Sequence, residues 1–463
     1  MQNQKVNKTK MSNIFYSVLL LMFLQSCAQS QGENQKDNVA KKAQEETTAI
    51  LAVTGFGVER TSIPLNELKD LYCKGEVYVL EKSQKRVSQI FGCKNTKILK
   101  DIQDFASLAK EKILLLDLEN ANPQFKALAI DSINFFQNPE KYNLYVLGEE
   151  KKKFEFQSKI TKFTLTGTTA ITRHMGRATS ANGMDWLIAN IVNEVKNSDF
   201  LHVSNEVSAK DNCEYVSGMR FCMKTEHLEV LNKLGVDIVE LTGNHNLDHG
   251  KDPYTQTMQW YKNNKMQVFG GGLTPQEANK PLIINTKDGK KVAFVGFNES
   301  CPVRECAGKG GNNVGAAPYD SVKVAKTIKD LKNNKEISYV IVSVQFDEVD
   351  SYSPTKSQVR ITKYLIDCGA DFVYGSQAHQ VQQVEFYKGK PIFHGLGNFL
   401  FDQIHRLGVR QGFFLHNYFY NGKIVQSIPV FTFTAIERRP ALANSEEIKG
   451  IKKVIFLDKN LYQ

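Results

Sequence analysis

No stretch of the 463 residues approaches 18 consecutive apolar side chains, which excludes a helix that crosses a membrane on its own hydrophobic length. The chain carries no phosphate-binding P-loop, no Gly-x-Gly-x-x-Gly after a strand and no Gly-x-Ser-x-Gly elbow. Nucleotide-binding folds of those types and serine hydrolases of the elbow type are thereby set aside. Gly270-Gly271-Gly272 lacks a phosphate-binding continuation and reads as a tight turn. No block of basic residues stands alone. The lysines and arginines are interleaved with acids, so nucleic acid is not an expected partner. Zinc-finger spacing is also missing around the cysteines. What is present is 41% apolar and 10% aromatic residues, enough for a large core, with a formal net charge of +10.

Part of that charge belongs to a leader. Residues 1–26 contain Lys5, Lys8 and Lys10, no acid, and an apolar stretch from Ile14 to Leu24. A basic start and a short apolar run read as a secretory signal. The ending Leu24-Gln25-Ser26-Cys27 resembles the lipobox of bacterial lipoproteins, which implies lipidation of Cys27 and a membrane anchor. Removal of the leader takes three of the ten excess positive charges. Residues 27–49 are polar and without aromatics, and they predict a flexible tether. Ala28 and Gln29 lack the Asp associated with inner-membrane retention, which favours the outer membrane in a Gram-negative cell. Export permits disulfides, and the local pairings would be Cys73–Cys93, Cys213–Cys222 and Cys301–Cys306, with Cys368 a buried thiol.

Residues 50–150 predict a small α/β unit, with a helix over SIPLNELKDLYCKG capped by Ser62. The charged run Glu149–Lys153 marks a boundary. Residues 160–440 alternate strands with helices, which implies βαβ crossovers and a largely parallel sheet flanked by helices. WLIANIVNEV has helical spacing, and the chain from PIFHGLGNF onward predicts added antiparallel strands. Residues 441–463 read as a C-terminal extension.

Ligands of open α/β sheets bind beyond the carboxyl ends of the strands. Polar residues recur at those ends: Thr168 with Arg173 downstream, Asn205-Glu206, Asn244-His245, Gln345, Gln377 with His379, and Asn398. Glu, Asn and His suit coordination of a divalent cation or polar binding of an anionic substrate. In Gly243-Asn244-His245 the glycine permits the turn, and the imidazole can bind metal or move a proton.

The ordered segments SDFLHVSNEV, GVDIVELTGNHNLDHG, QVFGGG, KVAFVGF, CGADFVYGSQAHQVQQVEFYKGKPIF and HGLGNFLFDQ, over Lys162 to Gln403, resemble the bacterial capsule-synthesis CapA family. That family is also called the poly-gamma-glutamate synthesis protein family. Its fold resembles the calcineurin-like metallophosphoesterases. The resemblance implies a role in making a capsule or polyglutamate-like surface polymer. The implied partners are the anionic polymer or its precursor and other capsule-synthesis membrane proteins. Relative to the family pattern, Thr168 replaces a ligating Asp, Gln345 stands where many members have His, and the His-rich stretch is reduced to Gln377 and His379. The expected cofactor is therefore one divalent ion, held by Asn244, His245 and His379, or none.

In that reading His245, His379, Glu206 and Arg173 are catalytic, and Thr168, Asn205, Gln345, Gln377 and Asn398 bind substrate. The reaction would be hydrolysis or transfer. The alternative is a non-catalytic polymer-binding or scaffold lipoprotein with a degenerate site.

Overall fold

The computed structural model describes residues 47–146, 154–457 and 461–462. The leader, Cys27, most of the tether and the Glu149–Lys153 boundary lie outside the described residues.

Two sheets pack face to face between two layers of helices. In the first, the order is Gln267–Phe269, Ile238–Glu240, Phe200–Asn205, Thr161–Thr169, Gln411–Tyr420, Lys423–Thr434 and Pro440–Leu442. The first four strands are parallel and the last three run antiparallel, as the β-rich tail suggests. In the second, four parallel strands (Lys291–Asn298, Ile337–Gln345, Phe372–Ser376, Lys390–Phe393) lie between antiparallel edges Leu282–Asn285 and Val384–Tyr387. The parallel sheet expected from the βαβ pattern is thus present twice.

Strand alternation explains the layering. Ile238 and Ile341 face the other sheet, where Phe163, Leu165, Phe269, Phe294, Phe372 and Phe413 fill the gap. Their neighbours Val239, Val340 and Val342 face outward, onto helices such as Ser321–Asn333 and Lys356–Asp367 in the second sheet's case. Parallel strands covered on both faces need apolar residues at most positions, and this is why Ala293–Phe297 and Tyr339–Val342 read as apolar runs.

A buried ionic cluster crosses the inter-sheet gap. Glu240 accepts from Tyr374 Oη at 2.9 Å and from Ser343 Oγ at 2.6 Å, and its carboxylate lies 3.0 Å from His202 Nε2. Glu240 and His202 sit on one sheet, Ser343 and Tyr374 on the other. These bonds fix the register between the layers where apolar packing alone is tolerant of sliding.

Residues Thr48–Val146 form a separate small sheet around Leu51, Val53, Leu114, Leu116 and Phe125. It docks on the main unit through Gln426, whose Oε1 accepts from Ala127 N–H at 2.9 Å and whose Nε2 donates to Phe125 O at 3.2 Å. Its first long helix, Leu65–Cys73, starts after Pro64 rather than at Ser62. Ser62 is held in a short strand paired with Ala129, which keeps it out of the capping position. The WLIANIVNEV segment is two short helices, Met184–Ile188 and Val192–Val195, because the chain breaks at Ile191 to bury that side chain. Gly270 has a φ of +73°, which suits glycine, and it turns the chain into a two-residue strand at Gly271–Gly272. The C-terminal helix Ser445–Ile455 inserts Ile451 and Ile455 into the inter-sheet core. Disulfides join Cys73 to Cys93, Cys213 to Cys222 and Cys301 to Cys306, while Cys368 is a buried free thiol. Among the described residues no helix is long and apolar enough to cross a membrane.

Candidate functional site

The carboxyl ends of both parallel sets meet at one rim, and there the side chains form two connected groups. The inner group is a knot of amides. Gln345 Nε2 donates to Glu206 Oε1 at 2.9 Å, to Gln377 Oε1, and more weakly to Asn244 Oδ1 at 3.3 Å. Ser376 Oγ donates to Gln345 Oε1. Glu206 is wholly buried, and its second oxygen, Oε2, has no partner. Three oxygens from three strand ends therefore converge on one amide nitrogen.

The outer group contains two histidines held in the same manner. His245 Nδ1 donates to Asp248 Oδ2 at 2.8 Å. Burial pulls the His245 pKa down, but the Asp248 hydrogen bond and the charges of Glu206, Asp248 and Glu305 outweigh it, and the net direction is upward. For His379 the partner is Asn398. Asn398 Nδ2 donates to Val409 O at 3.0 Å and to Gln403 Oε1 at 3.2 Å, which turns its Oδ1 toward the ring. His379 Nδ1 must then be the donor, at 3.0 Å. Each ring has its Nδ1 committed and keeps Nε2 for the cavity that both residues line.

That cavity has a volume of about 570 Å³. Arg173 lies on it with its guanidinium 4.6 Å from the Phe221 ring and 4.9 Å from the Phe401 ring. Asp402 orients the guanidinium, accepting from Nε at 3.1 Å and Nη2 at 2.5 Å through one oxygen, and it caps the His174 N–H with the other at 2.9 Å. Four of the chain's nine histidines (His174, His245, His379, His405) line this space with Arg173 and Arg438, against two acids, Glu348 and Asp402. Burial, and then Arg438 and Arg177, hold the His174 pKa below its ordinary value. The backbone is unusual here too. Arg173, Gln377 and His379 adopt φ of +45°, +83° and +52°, conformations that cost non-glycine residues about 1–3 kcal/mol and cluster at functional sites.

Two disulfide loops support the His245 side. The Cys213–Cys222 loop presents Phe221, whose N–H donates to Asp248 Oδ2 at 2.7 Å and whose ring lies 4.2 Å from that of His245. The Cys301–Cys306 loop presents Glu305, which accepts from Leu247 N–H at 2.8 Å. Burial, opposed by that hydrogen bond and reinforced by Asp248, raises the Glu305 pKa to about 7.

Of the residues expected from sequence, Glu206, Asn244, His245, Gln345, Gln377, His379 and Asn398 meet at this rim, and Arg173 joins them on the cavity. Asn205 does not. Alternation turns it to the helix side, where its Nδ2 donates to Tyr261 Oη and Val207 O, both at 2.7 Å. Thr168 is sealed beneath the next strand, its N–H donating to Gly397 O at 3.1 Å. Sequence reading missed Asp402, Arg438, Phe221, Phe401 and Glu305. Asp248, three residues beyond His245, had a usable signal in that spacing.

The donor set does not fit a divalent metal centre. Among the described residues no three His, Cys, Asp or Glu side chains are grouped to hold an ion. The point where Glu206, Asn244 and Gln377 oxygens converge is taken by the Gln345 amide N–H₂, a donor that cannot ligate a cation. Asn244, His245 and His379, expected as ligands, are divided between the amide knot and two separately anchored rings.

The family model for the bacterial capsule synthesis protein PGA_cap matches residues 162–403, the segment that carries both sheets' parallel strands and the whole rim. Among curated relatives, the capsule biosynthesis protein CapA of Bacillus anthracis is 24% identical over 303 residues, 64% of this chain and 73% of that protein. The PGA biosynthesis protein CapA of Bacillus subtilis is 23% identical over 258 residues, 55% and 67% of the two chains. A probable polyglutamine synthesis accessory protein of Mycobacterium tuberculosis is 24% identical over 226 residues, 47% and 59%. With more than half of its length matched by the family model, the chain belongs to the bacterial capsule synthesis family PGA_cap.

Proposed function

We propose that this protein acts in the synthesis of a capsule or poly-gamma-glutamate-like surface polymer, as an exported lipoprotein anchored through Cys27. It engages the anionic polymer or its precursor in the His245–His379 cavity, and it catalyses hydrolysis or transfer there by proton transfer without a metal ion.

The observation that carries this reading is the paired anchoring of two imidazoles at Nδ1, by Asp248 and Asn398, with both Nε2 atoms left for one cavity that Arg173 also lines. Arg173 binds a carboxylate of the polymer. His245, whose pKa is pushed upward, is the general acid, and His379 is the general base. For an amide-linked polymer, His379 Nε2 takes a proton from the attacking water or amine as the new bond to the carbonyl carbon forms. His245 Nε2 gives a proton to the departing nitrogen as the C–N bond breaks.

Expression of His245→Gln/His379→Gln in cells lacking the native gene tests the reading. Loss of surface polymer, with protein level and membrane fractionation unchanged, is the expected result. Normal polymer would reject it in favour of a scaffold role.

A further inference from the structure

A second cavity, of about 400 Å³, lies between the small N-terminal sheet and the main unit, and it shares no lining residue with the histidine cavity. Lys126, on the strand Phe125–Ala127, and Lys452, on the helix Ser445–Ile455, bring two ammonium groups to it from different parts of the chain. Phe56, Phe431 and Phe456 supply apolar wall, with Phe56 and Phe456 packed edge to face at 5.4 Å.

The polar side chains deeper in this cavity are committed within the protein, while the exposed Thr61, Ser132 and Gln137 line its edge. Gln426 spends its oxygen on Ala127 N–H and its nitrogen on Phe125 O and Ser427 O. Asn134 spends its amide on Ala127 O and Phe136 N–H, and Ser427 donates to Asn417. Lys126 Nζ donates to Val58 O, which uses one of its three protons. No carboxylate lines the space, and neither lysine has a side-chain ion pair among the described residues. Two like charges are thus held together in a partly dry cleft without a counter-charge on its walls. Burial, and then Lys452, push the Lys126 pKa down to about 8, and burial lowers Lys452 against the opposing pull of Glu59.

We infer that this interdomain cleft is a second ligand site, built for a carboxylate or phosphate group borne on an apolar body. The acid would sit between Lys126 and Lys452, and the apolar part against the three phenyl rings. The volume is that of a small-molecule pocket. An anion there offsets the repulsion that the folded chain otherwise carries. The inference rests on this cleft alone and stands apart from the function proposed for the histidine cavity.

Calorimetric titration of the full chain with phenyl phosphate, 3-phenylpropionate and neutral 3-phenylpropanol tests it. The expected result is saturable binding of at least one anion in the millimolar range or tighter, with no heat from the alcohol. The tighter of the two anions identifies the acid preferred. Lys126→Met/Lys452→Met should weaken that binding at least tenfold, and Lys126→Arg/Lys452→Arg should restore most of it. Should the double methionine variant unfold, Lys452→Met alone, at a half-buried helix position, should still weaken binding severalfold. No binding by either anion, or equal binding by folded methionine variants, would overturn the inference.

Discussion

Asp248 Oδ2 lies 2.8 Å from His245 Nδ1 and accepts Phe221 N–H at 2.7 Å, so one buried carboxylate oxygen fixes both the ring and the disulfide loop beside it. The relationship decides the protonation state of His245, because burial alone would favour the neutral ring. Asp248→Asn should therefore move the His245 titration to lower pH, followed by NMR of the imidazole carbons. The pH range over which His245 serves as an acid should contract from the high side. Turnover near neutral pH should fall about 10²-fold, the lower end of what general acid catalysis contributes. An unmoved His245 titration would separate the two residues functionally.

Gln345 stands where three oxygens converge. Gln345→Ala would leave Glu206 buried with neither carboxylate oxygen partnered, a situation that costs about 1–3 kcal/mol or more. Urea unfolding should show that loss, and Glu206→Gln/Gln345→Ala should recover much of it by removing the stranded charge. If the single variant is as stable as the native chain, Glu206 has another partner.

Arg173 packs against the adjoining rings of Phe221 and Phe401 and is oriented by Asp402. A guanidinium packs against aromatic faces while its remaining N–H groups hydrogen-bond in a fixed fork, and an ammonium does not, so Arg173→Lys should behave more like Arg173→Ala than its charge suggests. Both should weaken binding of short gamma-glutamate oligomers about tenfold or more by calorimetry. A lysine variant with native affinity would show that charge alone suffices.

His416 is buried against Thr164, and burial with the nearby Lys162 lowers its pKa to about 3. The unfolded chain protonates this group near pH 6.5, whereas the folded chain does so only near pH 3. Stability contributed by the neutral ring is thus complete above about pH 6.5 and is lost as pH falls toward 3, at up to about 1.4 kcal/mol per pH unit. His416→Gln should flatten that part of the stability curve in denaturant titrations at pH 7, 6, 5 and 4. An unchanged slope would place the acid sensitivity elsewhere.

Much of the fold was legible because parallel strands covered on both faces are largely apolar, and the AFVGF of KVAFVGF and the YVIV of SYVIVSV are such runs. Their division into two sheets was not legible, since it depends on which strands pair, and pairing is a long-range property. The site was readable where chemistry is local, as in Gly243-Asn244-His245. It was opaque where it depends on distant contacts: Arg173 and Asp402 are 229 residues apart in sequence. Strand phase caused the remaining errors. The Thr161–Thr169 strand carries an extra residue between Leu165 and Thr168, opposite His202 and Ser204, so alternation counted from KFTLTG fails before the rim. Gly167 sits in that irregularity, where a Cβ would lie 1.9 Å from Gly397 O, so the close strand approach requires glycine. The amide knot was invisible for another reason: nothing in the sequence says that Gln345 takes the centre of three convergent oxygens.

The proposed reaction uses two anchored imidazoles on an anionic polymer and no metal ion. It is tested most directly by measuring amine release from gamma-glutamate oligomers with protein stripped by chelator and verified metal-free by mass spectrometry. Turnover should be the same before and after stripping, with no gain on adding Mn²⁺ and a loss of about 10²-fold or more in His245→Gln/His379→Gln. Stripped protein that is inactive and regains turnover with Mn²⁺ would contradict it.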